Sequence, residues 1–124
     1  MTASESELRV ERALEFYHND AGYNCAQAVL ATFEDCAAGV DQAVIDSMSA
    51  CGGGHAEGGL CGALYAAHRL LDEPGRELLQ PFVEAYGSAY CEHLIKKDCC
   101  CDLVAASVRL LAAISETHPL QFQA

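Results

Sequence analysis

Residues 51–68 read Cys51-Gly-Gly-Gly-His-Ala-Glu-Gly-Gly-Leu-Cys61-Gly-Ala-Leu-Tyr-Ala-Ala-His68, a glycine-rich segment that leads into a helix-forming run. Six of the ten glycines of the chain lie between positions 52 and 62, where the lack of a Cβ lets the backbone turn tightly. From Leu60 onward, alanine and leucine at helical spacing predict a helix to about Leu71. Cys61 therefore lies where a loop enters a helix. The free N–H groups and positive dipole end of a helix start favour a thiolate over a thiol.

Three further cysteines have comparable settings. Asn24 is a good N-cap residue, so Cys25 should lie in the first turn of a helix that continues to about Phe33. The last helix should start near Cys100 or Asp102, and its apolar face is Leu103, Val104, Val108, Leu111 and Ala112. Cys91 follows Gly87-Ser88 and precedes the basic pair Lys96-Lys97. Helix dipoles and loop amides of this kind would compensate the charge of a thiolate group.

The remaining elements also read as helices. A Ser4-x-x-Glu7 capping box predicts a first helix that ends near His18. Asp41 should cap a third helix. A fifth helix should run from about Arg76 or Pro81 to Gly87. No sustained period-two run of β-branched residues predicts a strand. We expect an all-α fold, a compact bundle of about five or six helices in a single domain over residues 1–124. Residues 1–3 and 119–124 should be loose ends.

Composition narrows the class of function. The chain has 124 residues and a formal net charge of −11, which argues against binding to nucleic acid or to an anionic membrane surface. No apolar run reaches the roughly 18 residues of a membrane span, and no secretory signal precedes Ser4, so we expect a cytoplasmic protein without membrane insertion. Eight cysteines in a reducing compartment favour metal, cluster or redox chemistry over a disulfide framework.

The spacing of the cysteines excludes several familiar motifs. The chain lacks Cys-x-x-Cys, which argues against a thioredoxin-like motif and a zinc ribbon, and it lacks the c-type haem signature. In Cys99-Cys100-Cys101, neighbouring helix positions face different ways, so one of the three would serve a site. A buried cysteine can also be a small hydrophobic residue, an interpretation that fits Cys36 and Cys51 best. The apolar face of the last helix indicates either a homodimer surface or core packing.

A set of motifs then points to one family. These are Gly22-Tyr-Asn-Cys25-Ala-Gln-Ala-Val-Leu30, Gly52-Gly-Gly54, Cys61-Gly-Ala63, Tyr86-Gly-Ser88 leading to Cys91, and Cys100 followed by Leu103-Val104. In order and combination they resemble the C_GCAxxG_C_C family, which is named for its cysteine signature and associated with redox activity. One departure is Ala66, where the family usually has glycine.

The resemblance implies that the family's four cysteines correspond to Cys25, Cys61, Cys91 and Cys100. Cys36, Cys51, Cys99 and Cys101 are then extra cysteines. The family is similar to part of the split-Soret cytochromes, which carry an iron–sulfur cluster alongside haem. That similarity implies a four-cysteine [2Fe-2S] site here and gives no reason to expect haem.

Three functions follow as hypotheses. In the first, the four cysteines bind a [2Fe-2S] cluster or another metal for electron transfer, and the acidic surface docks a redox partner protein. In the second, the protein is a metal-free thiol–disulfide oxidoreductase or redox sensor, in which Cys61 attacks and Cys25 or Cys91 resolves the mixed disulfide. In the third, the cysteines hold zinc or another soft metal.

Overall fold

The computed structural model describes residues 3–17, 22–49, 62–72, 77–81, 84 and 100–123. These residues form five α-helices and one short 3-10 helix, at Glu77–Leu79. The α-helices are α1 (Ala3–Phe16), α2 (Cys25–Thr32), α3 (Gln42–Ser47), α4 (Gly62–Leu70) and α5 (Cys100–Ile114). The described residues contain no strand beyond an isolated parallel bridge between Ala38 and Gln121. The prediction of an all-α bundle is confirmed.

Helix α2 is the centre of the bundle. All eight of its residues are buried, and it packs against α1, α3, α4 and α5. Ala26, Ala28 and Ala31 keep it narrow, so neighbouring helices can approach closely, while Val29 and Leu30 fill the core. A helix that is apolar on all sides is expected at such a position.

Helix α5 supplies the other long wall of the core. The five residues predicted to share its apolar face are all buried: Leu103, Val104, Val108, Leu111 and Ala112. The helix packs against α1, α2 and α4 of the same chain. Core packing therefore accounts for the apolar face on which the homodimer hypothesis depended.

The helix starts were predicted with mixed success. Asn24 and Asp41 are the N-caps of α2 and α3, and each side chain accepts a hydrogen bond from the backbone N–H three residues on. Gly22 precedes α2 with φ of 75°, the left-handed conformation expected of a glycine between helices. The capping box at Ser4 is wrong: α1 begins at Ala3, and the Glu7 carboxylate binds the Arg109 guanidinium of α5 instead.

Helix α1 runs antiparallel to α2. The ring of Phe16, the last residue of α1, lies 6.1 Å from the ring of Tyr23, two residues before α2. Towards the other end, the Arg9 Nη1 group donates to the carbonyl of Thr32, the last residue of α2, at 2.8 Å. The same guanidinium binds both carboxylate oxygens of Asp35, at 2.9 and 3.1 Å.

The carboxyl-terminal tail corrects another expectation. Residues 119–124 were predicted to be loose, but four backbone hydrogen bonds hold the tail between Leu120 and Gln123. Leu120 is buried, and the Arg69 guanidinium lies 5.3 Å from the ring centroid of Phe122. The tail supplies N–H donors to carbonyl groups at the end of α4, which a helix leaves without partners. Sequence pattern alone does not reveal such a distant acceptor.

Of the predicted fifth helix, from about residue 76 or 81 to residue 87, residues 80, 81 and 84 are helical and follow the 3-10 helix, and the remainder beyond residue 81 lies outside the described residues. No helix within the described ranges is both long enough and apolar enough to span a bilayer.

Candidate functional site

The carboxyl ends of three helices meet at the tail. The Gln121 and Gln123 amides donate to the carbonyls of Leu70 and Arg69, in the last turn of α4, at 3.1 and 2.6 Å. The Ala38 amide, which follows the turn after α2, donates to the Leu120 carbonyl at 3.0 Å. Because the tail itself follows α5, it joins the ends of α2, α4 and α5. These three helices also pack on one another.

An ion pair joins α1 to α5 at a point nine residues after Cys100. Arg109 Nε binds the Glu7 carboxylate at 2.9 Å. Cys100 is nine residues from Arg109 and Phe16 is nine residues from Glu7, about 13 Å along each helix. The ring of Phe16 contacts Tyr23, which is two residues before Cys25.

Cys25 is the first residue of α2, as predicted. The residue is 7% exposed and belongs to the hydrophobic core. Its backbone lies directly after the N-cap Asn24, where the first amides of a helix have no intrahelical acceptor. The thiol is therefore shielded from bulk water while it lies at the positive end of a helix dipole.

Two amide side chains attach this start of α2 to the end of α3. Asn24 Nδ2 donates to the carbonyls of Met48 and Ser49, both at 3.0 Å. Gln27 Nε2 donates to the Ile45 carbonyl at 3.2 Å, in a hydrogen bond that is fully buried. The acceptors are carbonyl groups at or just beyond the carboxyl end of α3, where a helix leaves its last carbonyls without a full set of intrahelical donors. We call Asn24 and Gln27 the amide clamp.

The amide clamp is also a reciprocal cap. The backbone N–H of Gln27 donates to Asn24 Oδ1 at 2.9 Å, and the backbone N–H of Asn24 donates to Gln27 Oε1 at 3.1 Å. Asn24 was predicted as the N-cap, whereas the role of Gln27 was not predicted. The capping-box spacing of Asn24-x-x-Gln27 was available in the sequence, whereas the contacts with α3 depend on the tertiary fold.

The other predicted ligands are described in part or not at all. Cys100 is the first residue of α5, and α4 begins at Gly62, so Cys61 directly precedes it. Cys61 and Cys91 lie outside the described residues, as do the extra cysteines Cys51 and Cys99 and the side chains of Cys100 and Cys101. Among the described side chains, no group of three or more histidine, cysteine or carboxylate residues could hold a metal ion. Of the four predicted ligands, Cys25 alone has a described side chain.

Cys36 lies at the other end of α2 and differs from Cys25. It is an exposed free thiol, so its interpretation as a small buried hydrophobic residue is wrong. It follows the carboxyl end of α2, beside Asp35. Partial burial raises the pKa of the Cys36 thiol, although the charge of Arg9 opposes this shift. The setting favours a protonated thiol and is unlike that of a metal ligand.

Comparison of the chain with protein families, with curated proteins and with solved structures finds no match in any of the three.

Proposed function

We propose that this chain is a redox protein that binds a [2Fe-2S] cluster, or another soft metal centre, through Cys25, Cys61, Cys91 and Cys100. A [2Fe-2S] cluster, when bound, supplies reversible one-electron transfer. The protein would contribute the thiolate ligands, the helix starts that stabilise their charge, and an acidic surface that docks a redox partner protein. These four cysteines are chosen because of the resemblance to the C_GCAxxG_C_C family.

One observation carries the proposal: two of the four cysteines begin helices, and a third directly precedes one. Cys25 and Cys100 are the first residues of α2 and α5, and Cys61 comes immediately before α4. The hydrogen bonds of the tail gather the carboxyl ends of the same three helices. Three helix starts at one end of a bundle would present amides and positive dipole ends to a shared anionic centre.

The burial of Cys25 favours a ligand over an attacking thiol. Thiol–disulfide exchange requires that the attacking sulfur reach a disulfide of the partner, and a residue that is 7% exposed offers little access. A metal ligand has no such requirement. The thiol–disulfide hypothesis therefore leaves Cys25 only the resolving role, with Cys61 as the attacking thiol.

The test starts with protein purified without oxygen. An ultraviolet–visible spectrum is combined with elemental analysis for iron, zinc and acid-labile sulfide. We expect visible absorption together with iron and sulfide in the wild-type protein, and the loss of all three in Cys25→Ser. The matched control is Cys36→Ser, which removes an exposed thiol after the carboxyl end of α2 and should retain the chromophore.

Other outcomes would select among the alternatives. Stoichiometric zinc in a colourless protein would replace the cluster with a zinc site. Colourless, metal-free protein in which Cys25 forms a disulfide on mild oxidation would support thiol–disulfide chemistry. Full retention of the chromophore in Cys25→Ser would overturn the ligand assignment.

A further inference from the structure

We propose that Asn24 and Gln27 are positioning residues of the cysteine site, because their side-chain amides fix the end of α3 against the cysteine-bearing start of α2. The inference rests on the proposed function for its consequence, namely metal affinity. The clamp itself can be tested in metal-free protein. Asn24 and Gln27 are not proposed to touch the metal.

Three hydrogen bonds from the side-chain amides of the clamp end on carbonyl groups at or just beyond the end of α3. Both bonds from Asn24 Nδ2 and the bond from Gln27 Nε2 end on backbone carbonyls of residues 45, 48 and 49. Gln27 is 5% exposed, so water cannot readily replace its bond with the Ile45 carbonyl. Burying an amide without a partner costs free energy. The start of α2 and the end of α3 are therefore held together as a unit.

The location of this unit connects it with two of the proposed ligands. Asn24 immediately precedes Cys25, and Ser49, which accepts one of its bonds, is the last described residue before the glycine-rich segment that leads to Cys61. The clamp thus fixes the position of Ser49 relative to Cys25. Residues that orient metal ligands in this manner set affinity without contacting the metal.

The substitution Asn24→Asp separates the clamp from the cap. Aspartate is as good an N-cap as asparagine, so its oxygen can still accept from the Gln27 amide. Its second oxygen would replace Nδ2 and face the carbonyls of Met48 and Ser49 without a proton to donate. Helix α2 should therefore form, while the two hydrogen bonds from Asn24 to the carbonyls of Met48 and Ser49 are lost and the bond from Gln27 to Ile45 remains. Asp41→Asn is the matched control, because it makes the reverse change at the exposed N-cap of α3.

The first readout is alkylation of Cys25 in reduced, metal-free protein, followed by peptide mass spectrometry. Cys36, which is exposed beyond the other end of α2, provides an internal reference in each sample. We expect Asn24→Asp to accelerate labelling of Cys25 about tenfold or more relative to Cys36, the factor appropriate to the loss of two hydrogen bonds. Asp41→Asn should leave this ratio unchanged.

A merely stabilising role is distinguished with Leu120→Ala. This variant loosens the tail at the opposite end of the bundle, and a buried leucine truncated to alanine substantially lowers global stability. If Cys25 becomes reactive only through global unfolding, Leu120→Ala will accelerate its labelling in proportion to the stability lost, as Asn24→Asp does. That equality would overturn the proposal. Acceleration in Asn24→Asp beyond this proportion would support it.

The second readout is affinity for Co²⁺, added alone as a spectroscopic probe of thiolate coordination. Asn24→Asp should weaken binding by about 10- to 100-fold, as is typical when a residue that supports metal ligands is removed. Unchanged affinity would overturn the positioning role. If the wild-type protein binds no metal, the proposed function fails, while the alkylation result still decides whether the clamp holds Cys25.

Discussion

Replacement of Arg9 tests how α1 is held on the bundle. The Arg9 guanidinium donates to the Thr32 carbonyl at 2.8 Å, binds the Asp35 carboxylate, and lies 5.3 Å from the centroid of the Phe33 ring. Its side chain is 15% exposed, whereas that of Asp35 is 54% exposed. The bond to the Thr32 carbonyl is therefore the better shielded of the two polar contacts, and we expect it to contribute most.

The contributions can be estimated separately. A hydrogen bond from a charged donor contributes about 1.5–3 kcal/mol, an exposed ion pair about 0–1 kcal/mol, and a cation–π contact at a partly exposed site about 0.5–1 kcal/mol. Arg9→Met keeps much of the aliphatic packing and removes all three polar terms. We expect it to lower the free energy of unfolding by about 2–5 kcal/mol. Asp35→Asn should cost no more than about 1 kcal/mol.

Urea denaturation followed by far-ultraviolet circular dichroism measures both changes. Arg9→Lys is an informative third variant, since it keeps the charge but cannot form the forked contacts of the guanidinium, and it should fall between the other two. The reasoning is refuted if Asp35→Asn destabilises the protein as much as Arg9→Met does. That result would show that the ion pair, rather than the contacts with α2, holds α1 in place.

Two further predictions concern acid stability and the tail. The hydrogen bond with Arg9 holds the pKa of Asp35 below its usual value, so its stabilising effect is present above the unfolded-state pKa of about 3.9 and is lost as pH falls through the lower folded-state pKa. Asp35→Asn should therefore flatten this part of the acid unfolding profile, and an unchanged profile would contradict the pairing. Termination after Pro119 removes the buried Leu120 and the backbone bonds of the tail, and it should lower the free energy of unfolding by at least about 2 kcal/mol in thermal denaturation. A truncated chain with unchanged stability would restore the expectation of a loose end.

Local patterns in the sequence predicted much of the fold. The N-caps Asn24 and Asp41 were identifiable because a short polar side chain before an apolar run satisfies the first amides of a helix. The buried face of α5 followed from the spacing of Leu103 and Val104 with Val108 and Leu111. These features depend on contacts between residues only a few positions apart, which a sequence displays directly.

The features that the sequence did not predict depend on contacts between distant residues. Glu7 fits a capping box by spacing, yet its carboxylate binds Arg109, 102 positions away. The tail contains a proline and polar residues, which suggest a loose end, but the carbonyls that receive its amides belong to α4 and to Ala38. The contact of Gln27 with the Ile45 carbonyl is of the same kind. For the candidate site, the placement of Cys25 at a helix start was predictable, whereas its attachment to α3 was not.

The distribution of positive charge explains why this attachment matters to the proposed site. The charges of Arg9 and Arg12 lower the pKa of Asp35, which follows the carboxyl end of α2. Arg69 lies in the last turn of α4. Arg109 forms an ion pair with Glu7. No other lysine or arginine occurs in the described ranges.

The backbone amides and the dipole at the start of α2 would stabilise a thiolate at Cys25. A helix dipole is equivalent to about half an elementary charge, and its influence falls off within the first turn. Stabilisation of such short range depends on a helix start that is formed and correctly docked. A side chain that docks the start of α2, as Asn24 does, consequently affects the chemistry of Cys25 although it carries no charge itself.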